Sequence, residues 1–169
     1  VTAAAPGLIA MGARLIVLGT GNEELIAGLV ALAAERPDRV AVVERFDRDE
    51  ARRIYAGSAL FLMPSRFEPC GQGPLIAIRY GTPPVVRFSG GLADTVIDAD
   101  ADSETGNGFV FGPAAPEALI DSVERALMAF EDPARFAHIQ AQGMAGDHSW
   151  KSPARQYQSA YERVLSARG

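Results

Sequence analysis

Four short apolar runs, at Leu15–Leu18, 40–43, 59–63 and 83–86, are separated by stretches whose apolar residues recur at helical spacing. No other feature constrains this chain as much. Runs without polar alternation suit strands buried on both faces of a parallel sheet, and parallel strands require a crossover of about a dozen residues between them. Helical stretches fill those gaps: Glu23 to Ala34, with Leu25, Ile26, Leu29, Val30 and Ala33; Arg48 to Ala56, with Ala51, Ile54 and Tyr55; and Pro74 to Tyr80.

The same reading places a helix end at Ala3 to Met11, closed by Gly12, and a last strand at Gly108 to Phe111. It places helices from Pro116 to Phe130, from Pro133 and from Ser149. Asp98 to Asn107 is acidic, has no packing pattern and reads as a mobile loop. Strands alternating with helices predict an α/β fold, a Rossmann-like doubly wound parallel sheet closed off by C-terminal helices. The expected organisation is one domain over 1–169, with an α/β core at 1–145 and a helical tail at 146–169.

Composition narrows the classes of function. With 48% apolar and 22% charged residues the chain is expected to fold rather than stay disordered. Its formal charge of −5, with both signs interspersed, argues against a nucleic-acid surface, and no run is long enough to cross a membrane. A soluble, cytoplasmic protein is expected. Its one cysteine, Cys70, closes no intrachain disulfide, and no spacing suits a zinc site, so no metal and no cofactor are expected. The chain opens on Val1 in an apolar stretch and reads as a piece of a longer protein.

Two loops after strands carry residues suited to chemistry. Gly19-Thr20-Gly21 precedes a helix and would let a phosphate or ribose approach the backbone, or serve as a structural turn. As a dinucleotide fingerprint it is incomplete, because Glu24 stands where a third small residue belongs; Glu44 is in place for a ribose-binding acid. The second loop, Pro64 to Gly73, contains Arg66, Glu68 and Cys70 ahead of Gly71, Gln72 and Gly73. Gly71 and Gly73 would expose amides to a diphosphate, Glu68 would accept hydrogen bonds from sugar hydroxyls, and Arg66 would orient it. The alternative is a rigid connector with Arg66 and Glu68 paired in solvent.

Pro64 to Gly71 reads Pro-Ser-Arg-Phe-Glu-Pro-Cys-Gly, Arg79 to Thr82 reads Arg-Tyr-Gly-Thr, and Gly90 to Val96 reads Gly-Gly-Leu-Ala-Asp-Thr-Val. Together these blocks closely resemble the C-terminal domain of bacterial glycogen synthases and plant starch synthases, and the resemblance extends over essentially the whole chain. It implies one half of a GT-B glycosyltransferase, the half that holds ADP-glucose. The implied reaction moves glucose to the nonreducing 4-hydroxyl of an α-1,4-glucan, with retention and without a required metal. The glucan acceptor would be held through an N-terminal domain outside this chain.

By that resemblance Glu68 matches the active-site glutamate near the donor sugar, and Cys70 the cysteine of the same loop. Gly71, Gln72 and Gly73 match the backbone against the diphosphate and sugar. Phe46 matches an aromatic residue against adenine, the alternative being a core phenylalanine. Gln72-Gly73-Pro74 replaces the family's common Leu-Thr-Gln, which removes a hydroxyl from the phosphate region, and Ile76 stands where broader relatives carry a second glutamate. The family's basic segment, an Arg and a Lys ahead of the first helix, is not in this sequence, so the isolated chain is expected to be nearly inactive. A nicotinamide-dependent dehydrogenase fragment and a noncatalytic nucleotide-sugar or glucan-binding module are the competing readings. His138 and His148 read as surface residues and Trp150 as a packing anchor for the last helix.

Overall fold

The computed structural model describes residues 1–166. Its elements follow in the order α1 (Ala5–Ala10), β1 (Leu15–Leu18), α2 (Glu23–Glu35), β2 (Val40–Val43), α3 (Arg48–Gly57), β3 (Phe61–Met63), α4 (Gln72–Arg79), β4 (Pro84–Arg87), α5 (Gly91–Thr95), β5 (Phe109–Phe111), α6 (Pro116–Glu131), α7 (Pro133–Ala145) and α8 (Lys151–Ser166). Short acceptors start several helices: Asn22 Oδ1 accepts from the Leu25 amide, and Asp47 and Asp132 each accept from two amides of the following turn.

Every strand pair is parallel, as the alternating pattern requires, but the hydrogen bonding divides the strands into two ladders, β1–β2 and β3–β4–β5. A continuous sheet was expected; β1 and β3 lie on opposite sides of a cavity instead of pairing. Burial on both faces holds for β4, whose Val85 and Val86 are fully enclosed, and fails for β1 and β2. Ile16 is 53% exposed, because β1 has a ladder partner on one edge alone.

The main core gathers Leu8 of α1, Val85 of β4, Phe109 of β5, Leu119 and Val123 of α6, and Phe136 and Ile139 of α7. Pro116 opens α6 at a position where a missing N–H costs nothing, and α6 lies across β4 and β5. The Arg79–Thr82 segment is a fastening. Thr82 is buried and its hydroxyl donates to the Tyr55 carbonyl at 2.6 Å, while Gln140 of α7 donates to the Gly81 carbonyl at 2.6 Å.

The stretch 98–107, expected as a mobile loop, is tied down. Asp98 accepts from Val110 N at 2.6 Å and from Arg125 at 3.1 Å, and Asp100 pairs with both Arg125 and Arg135. Buried Asn107 accepts from Ile97 N at 2.9 Å and donates to the Thr95 carbonyl at 3.2 Å. Burial by itself would raise the Asp98 carboxyl, but the Arg125 guanidinium and the Val110 and Asp100 amides outweigh it and hold the pKa below the ordinary carboxylate value. Trp150 is 76% exposed, so among the described residues it is not the packing anchor that was expected; Ser149 accepts from Lys151 N at 3.3 Å at the start of the last helix.

Candidate functional site

The turns after β1, β2, β3 and β4 all leave the carboxyl ends of parallel strands, the edge at which open α/β folds bind ligands. Gly19 follows β1 with φ 149°, and neither it nor Gly21 would meet any atom within 4 Å if it carried a Cβ, so this turn faces open space. Phe46 follows β2 and is 83% exposed, which removes the core alternative and leaves a bare ring on the surface. Glu44 beside it is exposed as well.

The turn after β3 is built around Glu68. Its Oε1 accepts from Gly71 N at 3.1 Å and from Cys70 N at 3.4 Å, so the carboxylate is held by its own loop, and its second oxygen has no hydrogen-bond partner among the described residues. Gly71, at φ 63°, caps α4 in the left-handed region. Because Pro74 lacks an N–H and the Gly71 amide is taken by Glu68, the amides of Gln72 and Gly73 are left as the donors at the start of α4. The missing side chain at Gly73 serves packing: a Cβ there would lie 3.1 Å from Met63 Sδ and 3.2 Å from Phe61 Cζ.

The loop after β4 completes the arrangement, and its site role was missed in the sequence. Gly91 N donates to the Glu68 carbonyl at 2.9 Å. A Cβ on Gly71 would fall 2.7 Å from the Gly91 oxygen, one on Gly91 would fall 2.8 Å from the Cys70 carbonyl carbon, and one on Gly90, at φ 48°, would strike the Glu68 carbonyl oxygen. The two loops stack backbone on backbone, an approach that side chains at these three positions would prevent. Thr95 fixes the second loop by donating to the Gly91 carbonyl at 2.6 Å. Arg87 reaches over to the first, donating to the Ser65 carbonyl at 2.9 Å and to that of Arg66, which also accepts from Ser89. The signal for this loop was Gly90-Gly91 directly after a strand.

Arg66 and Glu68 form no ion pair among the described residues, and Arg66 and Cys70 are exposed. The structure therefore joins Glu68, Cys70 and Gly71 by hydrogen bonds and sets Gln72 and Gly73 beside them. Gly19, Thr20, Gly21 and Phe46 share the same edge through other strands. Among the described residues no three His, Cys, Asp or Glu side chains are grouped to hold a metal ion. His138 is elsewhere, with Nε2 3.1 Å from the Ser103 carbonyl oxygen.

Parallel Rossmann-like strands with glycine-built loops at their carboxyl edge define one half of a GT-B glycosyltransferase fold, and solved structures of that class share it. The catalytic domain of starch synthase IV from Arabidopsis thaliana, bound to ADP and acarbose, superimposes with a TM-score of 0.87 at 32% identity, over 97% of this chain and 35% of that one. Anabaena HepE, solved with UDP and glucose, gives a TM-score of 0.65 at 22% identity over 83% of this chain and 37% of its own. Residues 4–141 match the family described as glycosyl transferases group 1, and the chain belongs to that family.

Among curated relatives, the glycogen synthase of Halorhodospira halophila is 50% identical over 169 residues, and that of Alkalilimnicola ehrlichii 48% identical over the same length. In both cases the match covers 100% of this chain and 35% of the relative, so the chain spans about a third of the length of these proteins.

Proposed function

We propose that this chain is the nucleotide-sugar-binding half of a retaining glucosyltransferase that moves glucose from ADP-glucose to the 4-hydroxyl end of an α-1,4-glucan. The observation that carries the reading is the stacked pair of loops that presents the Glu68 carboxylate beside the free amides of Gln72 and Gly73. Those amides, at the positive end of α4, suit a diphosphate, and contacts there rest on the backbone because Gly73 and Pro74 supply no hydroxyl. Glu68, clamped through one oxygen, offers the other to sugar hydroxyls or to the charge that develops at the sugar. The exposed ring of Phe46 suits a flat base.

The relatives named glycogen synthase and the starch synthase bound to ADP support ADP-glucose as donor and a glucan as acceptor. Same-face attack, guided by the leaving phosphate, accounts for retention without a metal or other cofactor. The acceptor is held by the partner domain of a longer chain, the isolated piece is nearly inactive, and the work is done in the cytoplasm. No described helix is long and apolar enough to cross a membrane.

The test is made in the full-length protein with Glu68→Gln, which keeps an acceptor for the Gly71 amide, and Glu68→Ala, which does not. Both should lower turnover at least roughly a hundredfold, with modest change in ADP affinity. Near-normal turnover in Glu68→Gln removes the carboxylate from the chemistry. Tight ADP binding with no glucosyl transfer by the unmodified full-length protein would favour a noncatalytic binding module.

A further inference from the structure

Helix α5 has five residues, too few to hold together unaided, since a first helical turn fixes several dihedral angles for very few hydrogen bonds. Its first residue, Gly91, is the one whose amide donates to the Glu68 carbonyl, so whatever holds the far end of α5 also sets where that carbonyl sits. Leu92 and Val96 anchor one side of the turn, buried with Val86 of β4. Thr95, the last residue, is held by polar contacts. Its hydroxyl donates to the Gly91 carbonyl at 2.6 Å, four residues back, and so ties the two ends of α5 together. Its own carbonyl, at the end of the helix where such groups lack helical partners, accepts from the Asn107 side chain at 3.2 Å.

Asn107 is itself locked in place. It is 8% exposed, and both ends of its amide are engaged, Nδ2 with Thr95 O and Oδ1 with Ile97 N at 2.9 Å, so it grips the chain on either side of Val96. Glycines flank it where backbones nest: a Cβ on Gly106 would strike Ala99 Cα, and one on Gly108 would lie 2.6 Å from the Pro84 oxygen. From α7, Gly143 comes close enough that a Cβ on it would be 3.6 Å from Asn107 Cβ. Removing the Asn107 amide would leave the Thr95 carbonyl and the Ile97 amide without these partners, a cost that the end of α5 can escape only by moving.

We propose that Asn107 and Thr95 are positioning residues for Glu68, acting through α5. Asn107 holds Thr95, Thr95 holds Gly91 along the length of the helix, and Gly91 holds the backbone of Glu68, whose Oε1 is fixed to Gly71 N at 3.1 Å. Gly71 also lies against this path, because a Cβ on it would fall 3.0 Å from Thr95 Oγ1. Neither Asn107 nor Thr95 needs to touch the donor; each acts on where the carboxylate stands. This role rests on the reading above that Glu68 acts on the donor sugar. Misplacing an acting group by about 1 Å costs about a hundredfold in rate, while the diphosphate contacts assigned to the Gln72 and Gly73 amides depend on α4. Loosening α5 should therefore lower kcat more than it raises KM.

The test uses Thr95→Val, Thr95→Ser and Asn107→Ala in the full-length protein, read by steady-state kinetics with ADP-glucose and by amide hydrogen exchange. Thr95→Val should lower kcat at least about tenfold and change the KM for ADP-glucose less than about threefold, and Thr95→Ser, which returns the hydroxyl, should recover most of the loss. The Gly71 and Gly91 amides should exchange faster in Thr95→Val and Asn107→Ala, with Val85 and Val86 of β4 reporting that each variant is folded. In a Glu68→Gln background, Thr95→Val should cost little further turnover, whereas a merely structural disturbance would add in full. Normal kcat in Thr95→Val beside impaired Glu68→Gln overturns the positioning role and leaves Glu68 in the chemistry. Unaltered exchange at Gly71 and Gly91 in both variants overturns it as well. Normal turnover in Glu68→Gln itself overturns the reading of Glu68 and, with it, the role built on that reading. Should Asn107→Ala fail to fold, Asn107→Asp takes its place, since it keeps an acceptor for Ile97 N and loses the donor to Thr95.

Discussion

The two ladders of this molecule are built from similar sequence and end in different surroundings. In the β3–β4–β5 half, Val85, Val86 and Phe109 are fully enclosed and α6 and α7 complete the packing. In the β1–β2 half, Leu15, Leu29 and Val40 are buried, while Ile16, Leu25 and Val30 remain 45–59% exposed. Apolar character alone therefore does not report burial here. What differs is the number of neighbours each strand has, with β4 paired on both edges and β1 and β2 each paired on one. The first half holds the fully enclosed side chains, and the second is a less buried wing.

That contrast is most directly broken at Phe109. Phe109→Ala should cost about 3–5 kcal/mol, read by chemical denaturation, because the ring is fully enclosed; a loss below about 1 kcal/mol would mean that the core is elsewhere. A smaller loss, about 2 kcal/mol after allowing for the third of Arg125 that is exposed, is expected for Asp98→Asn at neutral pH. The Asp98 pKa is depressed in the folded state, so its contribution is present above the unfolded value of about 3.9 and is lost as pH falls through the folded one. Denaturation followed from pH 6 to pH 2 should accordingly show a shallower decline in the variant.

In the wing the effects should move from stability to binding. Phe46→Ala in the full-length protein should weaken ADP by about 1–2 kcal/mol in calorimetric titration, and leave the melting midpoint nearly unchanged. Unchanged ADP affinity would return Phe46 to plain surface. Smallest of all, Val30→Ala should stay within about 0.5 kcal/mol of the parent, since little of that side chain's contact is lost and alanine is the better helix former.

The order of strands and helices was legible in the sequence because an unbroken apolar run and a helical spacing are local signals. Helix α5 was not, being five residues that begin with glycine. The tethering of 98–107 was not either, because Asp98 and Asp100 find their arginines 25 to 35 residues further on. The Pro64–Gly73 loop stood out through its composition, yet its dependence on Gly90 and Gly91 is a through-space fact. Exposure at Phe46 and Trp150 and the gap beside β1 depend on which neighbours are present, and no local pattern encodes that.

The stacking of the two glycine loops limits what can be transplanted. A scaffold given residues 64–73 alone would lack the amide that holds the Glu68 carbonyl, the hydroxyl that braces the facing turn and the guanidinium that grips Ser65. The smallest portable unit is thus discontinuous, joining 64–73 to 87–95 across the neighbouring strand.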